Sequence, residues 1–195
     1  MITTIIPSIG RETLYTRTIP SVQAQSVPWE CIVVGDGVEL EPVDGITFLT
    51  APAQEYPADP KQRWKVQGTA AFNYGLERAN GEWVSYLADD DEYLPEHHEV
   101  LHFYHASADV IYGQGLVPET RALYGSLPVH RFATVMGAMI CRREKCPPAR
   151  TTPGDAGWDA DWWEDAMNGG LSFLFTPRIV CYYHPAAANL VYHSW

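Results

Sequence analysis

Three consecutive aspartates, Asp89-Asp90-Asp91, follow the apolar, β-prone run from Trp83 to Leu87. In a parallel α/β sheet, ligands bind beyond the carboxyl ends of the strands, which puts such a triplet at the mouth of a site. Adjacent carboxylates repel one another and gather at a cost unless a cation holds them. Oxygen-only ligation suits a hard divalent ion, Mg²⁺ or Mn²⁺. The competing reading is a solvated turn after a strand. Four histidines (His97, His98, His102 and His105) share the next segment. The i, i+4 pair His98 and His102 has zinc-ligand spacing, but no third ligand is evident, so solvated helix positions are expected.

The elements that must position the triplet follow from the hydrophobic pattern. Thr3-Thr4-Ile5-Ile6, ended by Pro7, reads as a first buried strand. Cys31-Ile32-Val33-Val34, closed by Gly35-Asp36-Gly37, reads as a second, and Ile46 to Leu49 as a third. Arg11 to Gln25, with Leu14, Ile19 and Val22, fits an amphipathic helix in spite of Pro20, while Ala51 to Pro60 holds three prolines and reads as loop. Thr69 to Asn80 predicts a helix stopped by Asn80-Gly81. Pro95 opens another, through about His105. Beyond Ala108 the pattern loosens. Val110 to Tyr112, Ala138 to Cys141 and Phe173 to Phe175 read as strands, and Trp158 to Asn168 as a helix stopped by Gly169-Gly170. The alternation predicts a parallel, doubly wound sheet.

A length of 195 residues suits one domain with a full core. Hydrophobic residues make up 46% and charged residues 19%, which fits a globular protein and argues against disorder. The formal net charge of −11 disfavours nucleic acid as a partner, because phosphates are repelled. An anionic small molecule is compatible if a metal supplies local positive charge. Cys31, Cys141, Cys146 and Cys181 complete no zinc pattern. Cys31 and Cys181 lie in apolar runs as buried thiols, so a reducing, cytoplasmic setting is expected. No signal-peptide pattern opens the sequence and no apolar run approaches about 18 residues, so no transmembrane segment is expected.

In their order, these elements resemble the inverting glycosyltransferases of family 2, which have the GT-A fold. Thr4-Ile5-Ile6-Pro7-Ser8 is similar to the family's opening strand. Ser21-Val22-Gln23-Ala24-Gln25-Ser26 and Trp29 to Gly37 are similar to its helix and second strand. Ala71-Phe72-Asn73-Tyr74-Gly75-Leu76, Ala79-Asn80-Gly81-Glu82-Trp83 and Leu87 to Pro95 match the later helix, strand and metal loop in order. The match is strong over residues 3–105 and weaker to the end. The resemblance implies an α/β chain: a single GT-A (Rossmann-like) domain over 1–195, with a mostly parallel central sheet flanked by helices. Residues 1–105 would form the nucleotide-sugar-binding half and 106–195 the acceptor-binding, catalytic half. The implied activity is transfer from a nucleotide-diphosphate sugar, UDP-sugar first, to an acceptor hydroxyl of a glycan, lipid or protein. It implies inversion and an Mn²⁺ or Mg²⁺ cofactor; a homo-oligomer is compatible with it.

Carried over residue by residue, the resemblance makes Asp36 the carboxylate that bonds the nucleotide base, with Pro7 in the same pocket. A carboxylate can accept from an imide N–H, though an Asx turn is the bland alternative. Asp89 would contact the ribose and Asp90 the metal, with Asp91 binding metal or orienting Asp90. The family often has an aspartate where this chain has Ala88, which leaves the triplet's alignment open by one place. The family's cation is absent at Gln67, so Lys65 or Arg63 is the candidate for the phosphates. Gly157 to Asp165 resembles the acidic motif that carries the catalytic base, placing Asp159 on it with Asp161 as rival. Acidic residues also simply favour a helix N-terminus. Trp158 is the candidate acceptor wall and Trp163 a core residue. His184 resembles a histidine that completes the metal shell, with His193 as the alternative. The Ala51–Lys65 and Pro147–Gly157 stretches are expected to close over the donor. A non-catalytic sugar-binding module of the same fold and a nucleotidyltransferase are the competing classes. The latter is disfavoured because Ser8-Ile9-Gly10-Arg11 is a poor match to its glycine-rich loop.

Overall fold

A computed structural model of the chain describes residues 1–131 and 135–185. The first apolar run forms β1 (Ile2–Ser8), buried along its whole length, and the second forms β2 (Trp29–Asp36). They pair in parallel, from Ile2 opposite Trp29 to Ser8 opposite Gly35. β3 (Thr47–Ala51) lies parallel to β2, and β4 (Trp83–Tyr86) parallel to β1. Ser8, Asp36 and the aspartate loop after β4 therefore leave the sheet at one carboxyl edge. Side chains alternate along these strands, and both faces are covered. Ile5, Ile32 and Val34 pack with Phe72, Trp162 and Trp163, whereas Ile6, Cys31 and Val33 pack with Leu14, Ile19 and Leu101.

The expected helix from Arg11 begins differently. A π-helical turn, Leu14–Thr18, runs into α1 (Ile19–Gln23). Pro20 has no N–H to give and its ring crowds the carbonyl four residues back, so the turn before it widens. Ile19 N–H accordingly reaches five residues back, to the Leu14 carbonyl. α2 (Pro60–Trp64) lies within the proline-rich loop, opened by Asp59, whose side chain accepts Gln62 N–H at 2.8 Å. α3 (Thr69–Leu76) rides close on the sheet. A methyl on Gly75 would stand 2.6 Å from Ile5 Cγ2, so the missing side chain sets that approach.

α4 (His97–His102) and α5 (Trp158–Asn168) complete the helices used below. The later strands are β5 (Glu92–Tyr93), β6 (Val110–Leu116), β7 (Leu123–Tyr124), β8 (Met139–Arg142) and β9 (Phe173–Tyr182). The sheet order is β3-β2-β1-β4-β8-β6-β9-β5, with β7 on β6. β8 runs antiparallel between β4 and β6; β6 and β9 are parallel, and β5 is antiparallel to β9. The sheet is thus wholly parallel in its first half and mixed in its second.

The α4 histidines correct one expectation: His97 and His98 are fully buried, not solvated. Their short helix lies against the sheet, where His97 stacks on Tyr93 at 3.7 Å and its Nε2 lies 3.0 Å from the Gly137 carbonyl. His98 Nε2 lies 3.3 Å from Thr4 Oγ1. Such polar partners make burial of a neutral imidazole tolerable. All four cysteines are free; Cys31 and Cys181 are buried as expected, and burial pushes the Cys31 thiol up to about 12. Among the described residues no helix is long and apolar enough to cross a membrane.

Candidate functional site

A cavity of about 750 Å³ opens at the carboxyl edge of β1, β2 and β4. Its lining brings together Pro7, Asp36, Lys65, the three aspartates, Trp158, Asp159 and His184. Arg63 and Asp161 are not part of it, and His193 lies outside the described residues.

The triplet is held mostly by the protein itself. Asp89 is buried, accepting from Ser8 Oγ at 2.7 Å and Ile9 N–H at 3.3 Å. Arg11 Nη1 bridges Asp89 at 2.5 Å and Asp90 at 3.2 Å. The cation that relieves the repulsion here is thus a guanidinium. Asp91 is also buried and accepts the His184 backbone N–H at 2.7 Å. The three backbone carbonyls are clamped as well: Thr13 donates to that of Asp89, Arg17 to Asp90 and Thr18 to Asp91. Burial raises the Asp91 carboxyl well above the usual range and raises Asp90 despite Arg11. Of the three side chains, Asp90 is the one turned outward, 25% exposed against 4% for Asp89.

Asp36, at the end of β2, accepts the Tyr56 hydroxyl on Oδ2. Its Oδ1 is buried and has no hydrogen-bond partner among the described residues. An enclosed, unpartnered carboxylate oxygen is costly, and a ligand N–H would remove the cost. Tyr56 oxygen accepts Gly68 N–H at 3.2 Å, and Gly68, at φ +79°, sets that peptide beside Pro7.

α5 is preceded by Gly157 at its N-cap, which is wedged in place: a methyl there would stand 2.6 Å from Asp159 Oδ1 and 3.1 Å from the Trp64 ring. Asp159 is half-buried in the first helical turn and faces the cavity. Trp158 packs edge-on to Tyr86 at 4.9 Å and also reaches the cavity. Trp163 is core. Asp161 points away: its side chain is 1% exposed, with Arg131 at 3.3 Å and Arg150 at 3.7 Å. Burial raises its pKa while the two arginines pull it back.

Lys65 is buried and its Nζ donates to the Gly154 carbonyl at 2.6 Å; Gln54 donates to the Thr151 carbonyl at 3.3 Å. The two loops expected to close are therefore already tied to each other. Asn73 adds a double link, to Ala149 N–H at 2.7 Å and carbonyl at 2.8 Å. Arg63 instead lies 6.0 Å from the Tyr56 ring centre.

For a divalent cation, the candidate donors on the cavity are the Asp90 carboxylate, the least enclosed of the triplet, and the His184 imidazole, whose Nε2 lies 3.2 Å from Glu92 Oε1 and whose Nδ1 lies 3.7 Å from Glu119 Oε1. Among the described residues no three His, Cys, Asp or Glu side chains form a closed metal cluster. One carboxylate and one imidazole fit a cation of the kind completed by substrate phosphates and water. Sequence reasoning missed Tyr56 and Arg11. The first sits in a loop without periodicity and the second in a loop scored only against a glycine-rich pattern.

Residues 3–120 match the sequence family Glycosyl transferase family 2. A GalNAc(5)-diNAcBac-PP-undecaprenol beta-1,3-glucosyltransferase of Campylobacter jejuni is 31% identical over 91 residues, 46% of this chain and 29% of that protein. The structure of S. aureus TarS in complex with UDP superposes with a TM-score of 0.71 at 14% identity, over 97% of this chain and 62% of TarS. The mannosyltransferase PcManGT of Pyrobaculum calidifontis, in complex with GDP-Man and Mn²⁺, gives 0.65 at 17%, over 98% and 59%. The chain therefore spans under a third of the curated relative and about three-fifths of the two structures.

Proposed function

Because the chain belongs to glycosyl transferase family 2 and has the GT-A fold, we propose that it moves a sugar from a nucleotide-diphosphate donor to an acceptor hydroxyl. A UDP-sugar is the preferred donor, and the anomeric centre inverts. The observation that carries the reading is the convergence of Asp36, Asp90 and Asp159 on one cavity at the carboxyl edge of the sheet. Binding by TarS of UDP lends the donor class support.

In this reading Asp36 Oδ1 accepts the imide N–H of the base, and Pro7 and Gly68 flank the ring. Lys65 supplies the cationic side of the cavity. Asp159 takes the proton of the acceptor hydroxyl as its oxygen attacks the anomeric carbon from the face opposite the diphosphate. Trp158 offers the acceptor sugar an apolar wall. Asp90 and His184 would hold an Mn²⁺ or Mg²⁺ ion together with the diphosphate oxygens. Such an ion supplies Lewis-acid relief of the charge on the departing diphosphate.

Calorimetry with UDP tests the reading. UDP should bind the wild-type protein, and Asp36→Ala should weaken it about ten- to a hundredfold, the usual worth of one charge-assisted hydrogen bond. Equal affinity in both proteins would overturn it. A second reading, a non-catalytic nucleotide-sugar-binding module, is favoured by Arg11, which already compensates Asp89 and Asp90 without a metal. Slow metal-dependent release of UDP from a UDP-sugar decides for the enzyme.

A further inference from the structure

The two oxygens of Asp36 have different surroundings. Oδ2 is engaged by the Tyr56 hydroxyl; Oδ1 is buried without a partner among the described residues. The Tyr56 oxygen also accepts Gly68 N–H, at 3.2 Å, from the peptide that packs beside Pro7. The tyrosine therefore has both its donor and an acceptor position committed to two residues of the cavity wall, Asp36 and Gly68.

An unencumbered carboxylate offers two parallel acceptors. Guanine matches it with two parallel donors, N1–H and the 2-amino N–H, whereas uracil brings a single donor, N3–H, between two carbonyls. A carboxylate with one oxygen engaged suits uracil, whereas the guanine 2-amino group must compete with the hydroxyl for that oxygen. A desolvated donor without an acceptor of its own is a strong discriminator. Resting on the reading of Asp36 as the base contact, we propose that Tyr56 is a specificity-determining residue. By engaging Oδ2 it leaves Oδ1 as the one uncontested acceptor of Asp36 and selects a uracil-bearing donor over a guanine-bearing one.

The test is calorimetric, with three nucleoside diphosphates: UDP, GDP and inosine diphosphate, which keeps N1–H but lacks the 2-amino group. In the wild-type protein UDP should bind tightest, and GDP no better than inosine diphosphate. In Tyr56→Phe, which frees Oδ2, GDP should gain about tenfold over inosine diphosphate, one added charge-assisted hydrogen bond. A variant in which all three ligands gain equally, or in which the GDP to inosine diphosphate ratio is unchanged, overturns the proposal. So does a wild-type protein that binds GDP tenfold tighter than inosine diphosphate, a comparison that needs no variant. Failure of the underlying reading looks different. N3-methyl-UDP binding as tightly as UDP would remove Asp36 from base recognition altogether, and Tyr56 with it.

Discussion

Asp159 and Asp161 stand two residues apart, yet their surroundings separate them. Asp159 faces the cavity at the mouth of α5, while Asp161 is enclosed with Arg131 and Arg150. Asp159→Asn is expected to leave UDP affinity nearly unchanged and to lower transfer by roughly 10²–10⁴, the contribution of a positioned general base. Initial-rate kinetics beside calorimetry checks both halves. Asp161→Asn should instead lower stability by about 2 kcal/mol, because it strips ion-pair partners from two arginines, and urea denaturation reads that loss. If Asp161→Asn were the variant that halts transfer in a folded protein, the base would be Asp161. At this scale the acidic residues were legible, because carboxylates at a strand end or helix start announce themselves by type and place. The resemblance ranked Asp159 ahead of Asp161; the physical difference between them, burial behind an arginine pair, leaves no mark on local spacing. Tyr56 was illegible for a similar reason: a single tyrosine among prolines has no pattern to belong to.

The segment before α1 shows how an element can position a site it does not line with its backbone. Thr13, Arg17 and Thr18 donate to three successive carbonyls of the aspartate loop, so the loop's shape is imposed from a neighbouring helix. Thr18→Val keeps the volume but leaves the buried Asp91 carbonyl without its donor. That should cost about 1–3 kcal/mol and weaken Mn²⁺-dependent UDP binding more than metal-free binding. A variant whose metal dependence matches the wild type would confine Thr18 to stability. The helix itself was visible in Leu14, Ile19 and Val22; the widened turn at Pro20 was not. The family motifs reveal pairings of their own. Glu30 beside Trp29 binds the Asn80 backbone N–H at 2.9 Å and its side-chain nitrogen at 2.6 Å, so two distant motifs are one contact in space. The parallel half of the sheet could be read because β-branched runs alternated with helices. The direction of β8 could not, because a strand buried on both faces has the same apolar run whichever way it points.

For the molecule as a whole, the buried α4 histidines link that helix to both halves of the sheet. Desolvation drives His97 well below its usual range and His98 down to about 3. Unfolded histidines titrate near about 6.5, so the unfolded chain binds protons first as pH falls. Stability is therefore held above about pH 6.5 and lost below it, by up to roughly 1.4 kcal/mol per pH unit per histidine. His98→Gln should flatten this acid limb between about pH 6.5 and 4, followed by urea midpoints. An unchanged slope would show that His98 does not set it.

The position of β8 bears on how the chain acquires its shape. Cys141 and Arg142, contributed from far along the chain, cap the edge of β4 opposite Val84 and Trp83. A fragment ending at residue 105 keeps the residues of the nucleotide half but leaves that hydrogen-bonding edge bare, and bare edges recruit foreign strands. Such a fragment is expected to self-associate, visible by light scattering, whereas a monomeric fragment that melts cooperatively would show independent folding. Division of chemical labour near residue 105 would then coexist with a single folding unit, in which nascent chain must wait for its last third before the edge of β4 is sealed.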